Sequence, residues 1–146
     1  MENIQYIIRN YKPTDKDMCE KLEMQVLKRV IDFNNINFIK QHGYFNEKLS
    51  FILYDIVKKY IFGCILVSSQ NNKNYVSSLC IDRDYHRLGF GKLLLNTILD
   101  NDFIYLYVRE SNKSAIALYE SNGFQQLNNN NLFYEDGEKK LYMVKK

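Results

Sequence analysis

The chain of 146 residues has little of what marks metal sites, disulfide frameworks or membrane spans. Its three cysteines, Cys19, Cys64 and Cys80, are widely spaced and form no CxxC pair. Its two histidines, His42 and His86, lie far from a ligand-like spacing. No metal is therefore expected, and the cysteines are expected to be buried free thiols in a reducing compartment. No apolar run approaches the ~18 residues of a membrane span, and the N-terminus lacks the apolar stretch of a signal peptide. The expected location is the cytoplasm, with the nucleus as the alternative. Lys and Arg form no run or stripe and the formal charge is only +3, so neither nucleic acid nor a membrane is an expected partner.

What is present points to one globular domain over residues 1–146. A chain that is 46% hydrophobic and 25% charged can bury a real core, and it contains neither an internal repeat nor a second domain. Ile4 to Arg9 reads as a first strand. Pro13 to Asp17 reads as a helix start with Thr14 as N-cap, and the stripe Met18, Leu22, Val26, Val30 with Ile31 carries that helix to about Asp32. Residues 33–47 are an asparagine-rich loop or short helix, either structural or one wall of a substrate groove. Phe51 to Val57, Ile61 to Val67 and Tyr75 to Ile81 read as three consecutive antiparallel strands. An apolar helix from Lys92 to Leu99 and the strand Phe103 to Val108 then make a crossover unit, which implies a parallel pair. A capped helix from Ala115 to Ser121 and two closing strands, Phe124 to Leu127 and Leu141 to Val144, complete an α+β chain with a mixed sheet and helices on both faces. The asparagine tract at 128–131 reads as part of a solvated loop.

The segment around which the rest is organised runs from Leu79 to Leu95. It ends a strand, turns through polar residues, and opens an apolar helix with Gly89 and Gly91. Glycines there remove Cβ atoms where the backbone turns sharply, and the amides up to about Lys92 could surround a pyrophosphate at the helix start. A dinucleotide fingerprint fits poorly, since no third glycine follows and the preceding strands look antiparallel.

Two runs carry a resemblance to a known family. Tyr85-His86-Arg87-Leu88-Gly89-Phe90-Gly91 resembles the Gln/Arg-x-x-Gly-x-Gly/Ala phosphate motif of the GNAT acetyl-CoA-dependent N-acetyltransferases. Ser111 to Phe124 resembles their Asn-x-x-Ala-x-x-x-Tyr…Gly-Phe run. His86 stands at the first motif position, usually Gln or Arg, with Arg87 one residue later; either could meet a phosphate, Arg being the stronger partner. The resemblance implies a mostly antiparallel seven-stranded sheet with splayed fourth and fifth strands. It implies acetyl-CoA as cofactor, held by Leu79, Cys80, Ile81, His86, Arg87, Leu88, Gly89, Phe90, Gly91, Lys92, Asn112, Ala115 and Tyr119.

Within the family the chain is most similar to NatE-type protein N-alpha-acetyltransferases, which implies an acceptor at a protein N-terminus and leaves room for an auxiliary subunit. That group's catalytic Tyr falls on Tyr75, and its loop aromatics fall on Phe133 and Tyr134. Its catalytic His falls on Tyr107, so half of that pair is replaced, and its substrate loop is unmatched around Phe33 to Phe38. Tyr119 matches the family's acid for the departing thiolate. A phenol near pKa ~10 suits that donor role but makes a poor base at neutral pH, so Tyr75 and Tyr107 are expected to position a water. Weak base machinery favours an α-amine near pKa ~8 over a lysine near ~10.4. A small-molecule amine is the alternative acceptor, and a non-catalytic module that binds coenzyme A or a partner is the remaining reading.

Overall fold

The computed structural model describes residues 3–127 and 132–146, so the 128–131 tract lies outside the described residues. The strands are β1 (Tyr6–Asn10), β2 (Tyr44–Phe45), β3 (Phe51–Asp55), β4 (Tyr60–Gln70), β5 (Lys73–Ile81), β6 (Phe103–Arg109), β7 (Gln125–Leu127) and β8 (Lys140–Lys145). The helices are α1 (Lys16–Leu27), α2 (Ile36–His42), α3 (Phe90–Asn96) and α4 (Lys113–Ser121).

The sheet runs β1-β3-β4-β5-β6-β8-β7, seven strands on the main path, and β2 pairs with β4 off that path. The expected count of seven is thus corrected to eight by this two-residue strand. Among the described residues only β5 and β6 pair in parallel; the other pairs are antiparallel. β4 is buried from Ile61 to Ser68, which explains its nearly continuous apolar sequence. One face carries Ile52, Cys64, Leu66 and Cys80 against Cys19 and Leu22 of α1, so the three free thiols meet in one buried cluster. The other face carries Leu53, Phe62, Ile65, Val76 and Leu106 against Phe90, Leu94 and Leu95 of α3 and Tyr119 of α4. Among the described residues no helix is long and apolar enough to cross a membrane.

Three differences from the sequence expectation shape the site. Thr14 is not a helix cap: Pro13–Asp15 is a 3-10 turn, and Asp15 is the N-cap residue of α1. The Asp15 carboxylate accepts from the Lys12 N–H at 2.8 Å and from both Nη atoms of Arg9 at 2.8 and 2.9 Å. Next, α1 stops at Leu27 because Lys28 turns left-handed (φ 60°), five residues short of Asp32, and this turn delivers Arg29 onto β5. Finally, the ambiguous 33–47 segment contains a real helix. Asn35 caps α2 by accepting from the N–H groups of Asn37 and Phe38, and Gly43 ends it at φ +86°. A Cβ at Gly43 would sit 2.1 Å from the Ser69 carbonyl oxygen, so only glycine lets α2 stop that close to β4.

Candidate active site

The loop leaving β5 is anchored from below. Tyr85 is buried, stacks on Phe62 with centroids 4.1 Å apart, and donates to Asp55 Oδ2 at 2.6 Å. Asp82 Oδ1 accepts from the Asp84 N–H at 2.9 Å, which tightens the turn before Tyr85. Above this anchor, residues 86–89 are exposed, with Arg87 at φ 65° and Gly89 at φ 86°. The first bond of α3 runs from the Leu93 N–H to the Gly89 carbonyl, so the N–H groups of Phe90, Gly91 and Lys92 have no acceptor within the helix. A Cβ at Gly89 would meet nothing within 4 Å, so the cradle is open on that side. Free amides, left-handed turns and open space fit a pyrophosphate.

His86 is exposed at the start of this loop. Its Nε2–H donates to the Ile81 carbonyl at 2.7 Å and ties the loop back to the end of β5. Asn112 likewise caps its own helix, accepting from the Ala115 N–H at 3.2 Å, while Ala115 is half-buried above the core. Leu88 and Lys92 are exposed beside the cradle, and Phe90 is buried beneath it. Cys80 is buried in the thiol cluster, so only its backbone could face a cofactor; Leu79 and Ile81 are half-buried neighbours on the same strand.

The sheet opens beside this loop. Parallel pairing covers Lys73↔Phe103, Asn74↔Ile104 and Tyr75↔Tyr105 and then ends, while β6 continues on β8. On its other edge β5 shifts register against β4: Leu66 pairs with Ser78 and Val67 with Val76, leaving Ser77 as an extra residue. Such a bulge increases local twist and helps the two strands diverge.

Tyr75 and Tyr107 come together at the mouth of this opening, rings edge to face at 5.9 Å. Burial pushes the Tyr75 hydroxyl up to about 12 and raises that of Tyr107, so both stay neutral phenols. Tyr119 is buried on α4 against Phe124, and burial raises its hydroxyl too, which keeps the proton on the oxygen. Tyr134 is half-buried, with the Arg109 guanidinium 4.1 Å and the Lys140 ammonium 4.8 Å from its ring centre. Phe33 packs instead against Phe38 and Phe45, at 5.6 and 4.5 Å, in the wall formed by the α1–α2 connection. Phe133 is exposed, bridging Lys139 in the β7–β8 connection, and has no ring contact with the other candidates among the described residues.

Sequence reasoning missed three residues here. His42, at the end of α2, stacks on Tyr75 at 3.8 Å and 17°, and its Nδ1 shares a 2.8 Å hydrogen bond with the Tyr105 hydroxyl. It lines a cavity of about 290 Å³ with Gln41, Lys73, Tyr105, Tyr107 and Tyr142. The available signal was the spacing of Phe38 and His42, which puts both on one face of a capped helix. Glu23 and Arg29 form the second feature. Ser78 Oγ donates to the buried Glu23 carboxylate at 2.7 Å, and Arg29 Nη2 donates to the bulge carbonyl of Ser77 at 2.7 Å.

Burial, with the Lys140 charge second, pulls the His42 imidazole down to about 4. An unfolded histidine sits near 6.5, so the unfolded chain binds more protons between about 4 and 6.5. Stability is therefore expected to be flat above that window and to fall as pH drops through it, by up to about 3 kcal/mol. Denaturant melts of the natural chain and His42→Phe at several pH values check this: the variant should lose most of that slope, and equal slopes would disprove it.

The acetyltransferase (GNAT) family model matches residues 16–124. The chain belongs to this family. An uncharacterized N-acetyltransferase from Methanocaldococcus jannaschii is 27% identical over 96% of this chain and 91% of its own. The N-alpha-acetyltransferase 50 of Danio rerio is 36% identical, over 49% of this chain and 48% of its own. The crystal structure of the Escherichia coli ribosomal-protein-S18-alanine N-acetyltransferase superposes with a TM-score of 0.73 at 24% identity, covering 97% of this chain and 93% of that one. GNAT enzymes transfer acetyl groups from acetyl-CoA, and that is the chemistry of this chain.

Proposed function

We propose that this acetyltransferase modifies the α-amine of protein or peptide N-termini by direct attack of the amine on the acetyl thioester. The observation that carries the reading is the floor of Tyr75, Tyr107 and His42, which holds no group that gains or loses a proton near neutrality. An acceptor used here must arrive largely able to shed its own proton. An α-amine near ~8 is already about a tenth neutral at pH 7, whereas a lysine near ~10.4 is neutral in fewer than one molecule in a thousand. Lys140 and Arg29 at the same mouth disfavour a polycationic acceptor.

Acetyl-CoA supplies the activated acetyl group. The amides of residues 87–92 bind its pyrophosphate, with Gly89 giving the turn and Arg87 the side-chain charge. One backbone N–H among Leu79 to Ile81, along the edge that β6 leaves, polarises the thioester carbonyl. Tyr75 and Tyr107 hold the water that receives the amine proton, and Tyr119 donates to the departing thiolate. Phe33 and Tyr134 wall the acceptor groove from opposite sides, and Phe133 extends it.

Incubation with acetyl-CoA and a panel of N-terminal peptides beside free polyamines tests the acceptor, with thiol release as readout. Release with peptides and little with polyamines is expected. The reverse pattern would replace this reading with a small-amine one, and no release with either would replace it with a non-catalytic one.

A further inference from the structure

Cations reach the mouth of the acceptor groove with their partners already engaged elsewhere. The Arg29 side chain is 41% exposed and comes from the connection after α1 to lie across the β5 bulge. Of its five N–H donors, one on Nη2 meets the Ser77 carbonyl at 2.7 Å, and Nη1 reaches Ser78 Oγ at 3.4 Å. The rest of the fork makes no further hydrogen bond among the described residues. Its nearby carboxylate, Glu23 Oε2 at 3.9 Å, is 1% exposed and takes the Ser78 hydroxyl, so it stays beneath the strand. Ser77 lies two residues along β5 from Tyr75, so the guanidinium sits beside the stretch of strand that carries that tyrosine.

On the opposite wall, Lys140 Nζ sits 5.3 Å from the Tyr107 ring centre and 4.8 Å from that of Tyr134. Arg109, the third cation, is neutralised by Asp136 at 2.8 Å and Glu138 at 3.0 Å. Each carboxylate in contact with these cations is therefore committed to a partner, while Arg29 stays part-exposed on Ser77 and the Lys140 ammonium stands over the Tyr107 and Tyr134 rings.

We propose that Arg29 selects acceptors carrying a carboxylate within one or two residues of the reacting amine, above all peptides with an acidic first residue. This rests on the peptide reading above and narrows it. A guanidinium already pinned on Ser77 keeps its fork in a fixed plane, so a carboxylate can take two parallel N–H bonds with little further ordering. Lys140 adds a point charge on the far side, where it favours acidic groups further along the acceptor.

The test uses two peptides identical except for a first residue of Glu or Gln. The full chain is expected to show a kcat/KM at least about tenfold higher for the Glu peptide. Arg29→Leu should bring that ratio to within about twofold, Arg29→Lys should leave an intermediate ratio, and added salt should shrink the ratio of the natural chain. Equal kcat/KM for the two peptides, or a ratio untouched by Arg29→Leu, overturns the proposal. Should Arg29→Leu fail to fold, Arg29→Lys and the salt dependence decide alone: a ratio unmoved by either overturns it. Free glutamate and glutamine form a parallel pair. Inert peptides with glutamate preferred over glutamine would remove the peptide reading and keep the carboxylate rule. Peptides that react equally well would do the opposite.

Discussion

Replacing Gly89 with valine is expected to weaken coenzyme A binding by roughly a hundredfold, about 2.7 kcal/mol. Gly89 sits at φ 86°, a conformation in which a β-branched residue is strongly strained. The clash is not with neighbours, since a Cβ there meets nothing within 4 Å. The loop would relieve its strain by leaving the left-handed conformation, which turns the amides at the start of α3 away from the pyrophosphate. Because the core beneath is untouched, with Tyr85 still held by Phe62 and Asp55, stability should fall by only about 1–2 kcal/mol. Calorimetric titration with coenzyme A beside a thermal melt separates the two effects. Affinity retained in a folded Gly89→Val protein would remove the phosphate-cradle assignment. Gly89→Ala should fall between the two, having the strain of a Cβ without the branching.

Tyr119→Phe is expected to lower kcat by about a hundredfold while the Kd for coenzyme A changes by less than about threefold. The ring fills space beside Phe124 and in the core under α4, and phenylalanine fills it equally. Among the described residues the Tyr119 hydroxyl makes no hydrogen bond to the chain, so its loss orphans no partner. Its buried setting keeps the proton in place at neutral pH, which suits a donor to a departing thiolate. Single-turnover kinetics with a good acceptor measures the step directly. An unchanged rate would reduce Tyr119 to a packing residue.

Much of the fold could be read from residues alone, because its signals are local. The apolar runs around β4 and β5, the paired glycines at the start of α3 and the Asn112 cap on α4 each state their own conformation. The end of α1 does not. Val30 and Ile31 continue the apolar stripe past Leu27, yet Lys28 turns left-handed without any glycine to announce it. What fixes that turn is the grip of Arg29 on Ser77, 48 residues away, and no window along the chain contains both. His42 was hidden for a related reason. A lone histidine in an asparagine-rich segment carries no motif, and its meaning comes from Tyr75 and Tyr105, which only the folded sheet brings to it. The missing histidine at Tyr107 looked like a gap in the chemistry; another imidazole occupies the neighbourhood from a different element.

The parting of β5 and β6 also governs how the molecule holds together. Among the described residues, three ladder pairs join β5 to β6 along this seam, at Lys73, Asn74 and Tyr75. Beyond them the two strands part inside the sheet, where the Ser77 and Ile81 carbonyls turn to Arg29 and His86 instead of to β6, and a parted strand edge is the kind that recruits an extended backbone offered to it. A cofactor with amides of its own, bound in the seam, would act there as a surrogate strand. It would couple the halves and add RT ln(1 + [L]/Kd) to the folding free energy, about 2.7 kcal/mol at a hundredfold excess over Kd. An acetyl donor bound in that opening would thus be a structural component as well, and its concentration one determinant of the fraction of chain that is folded.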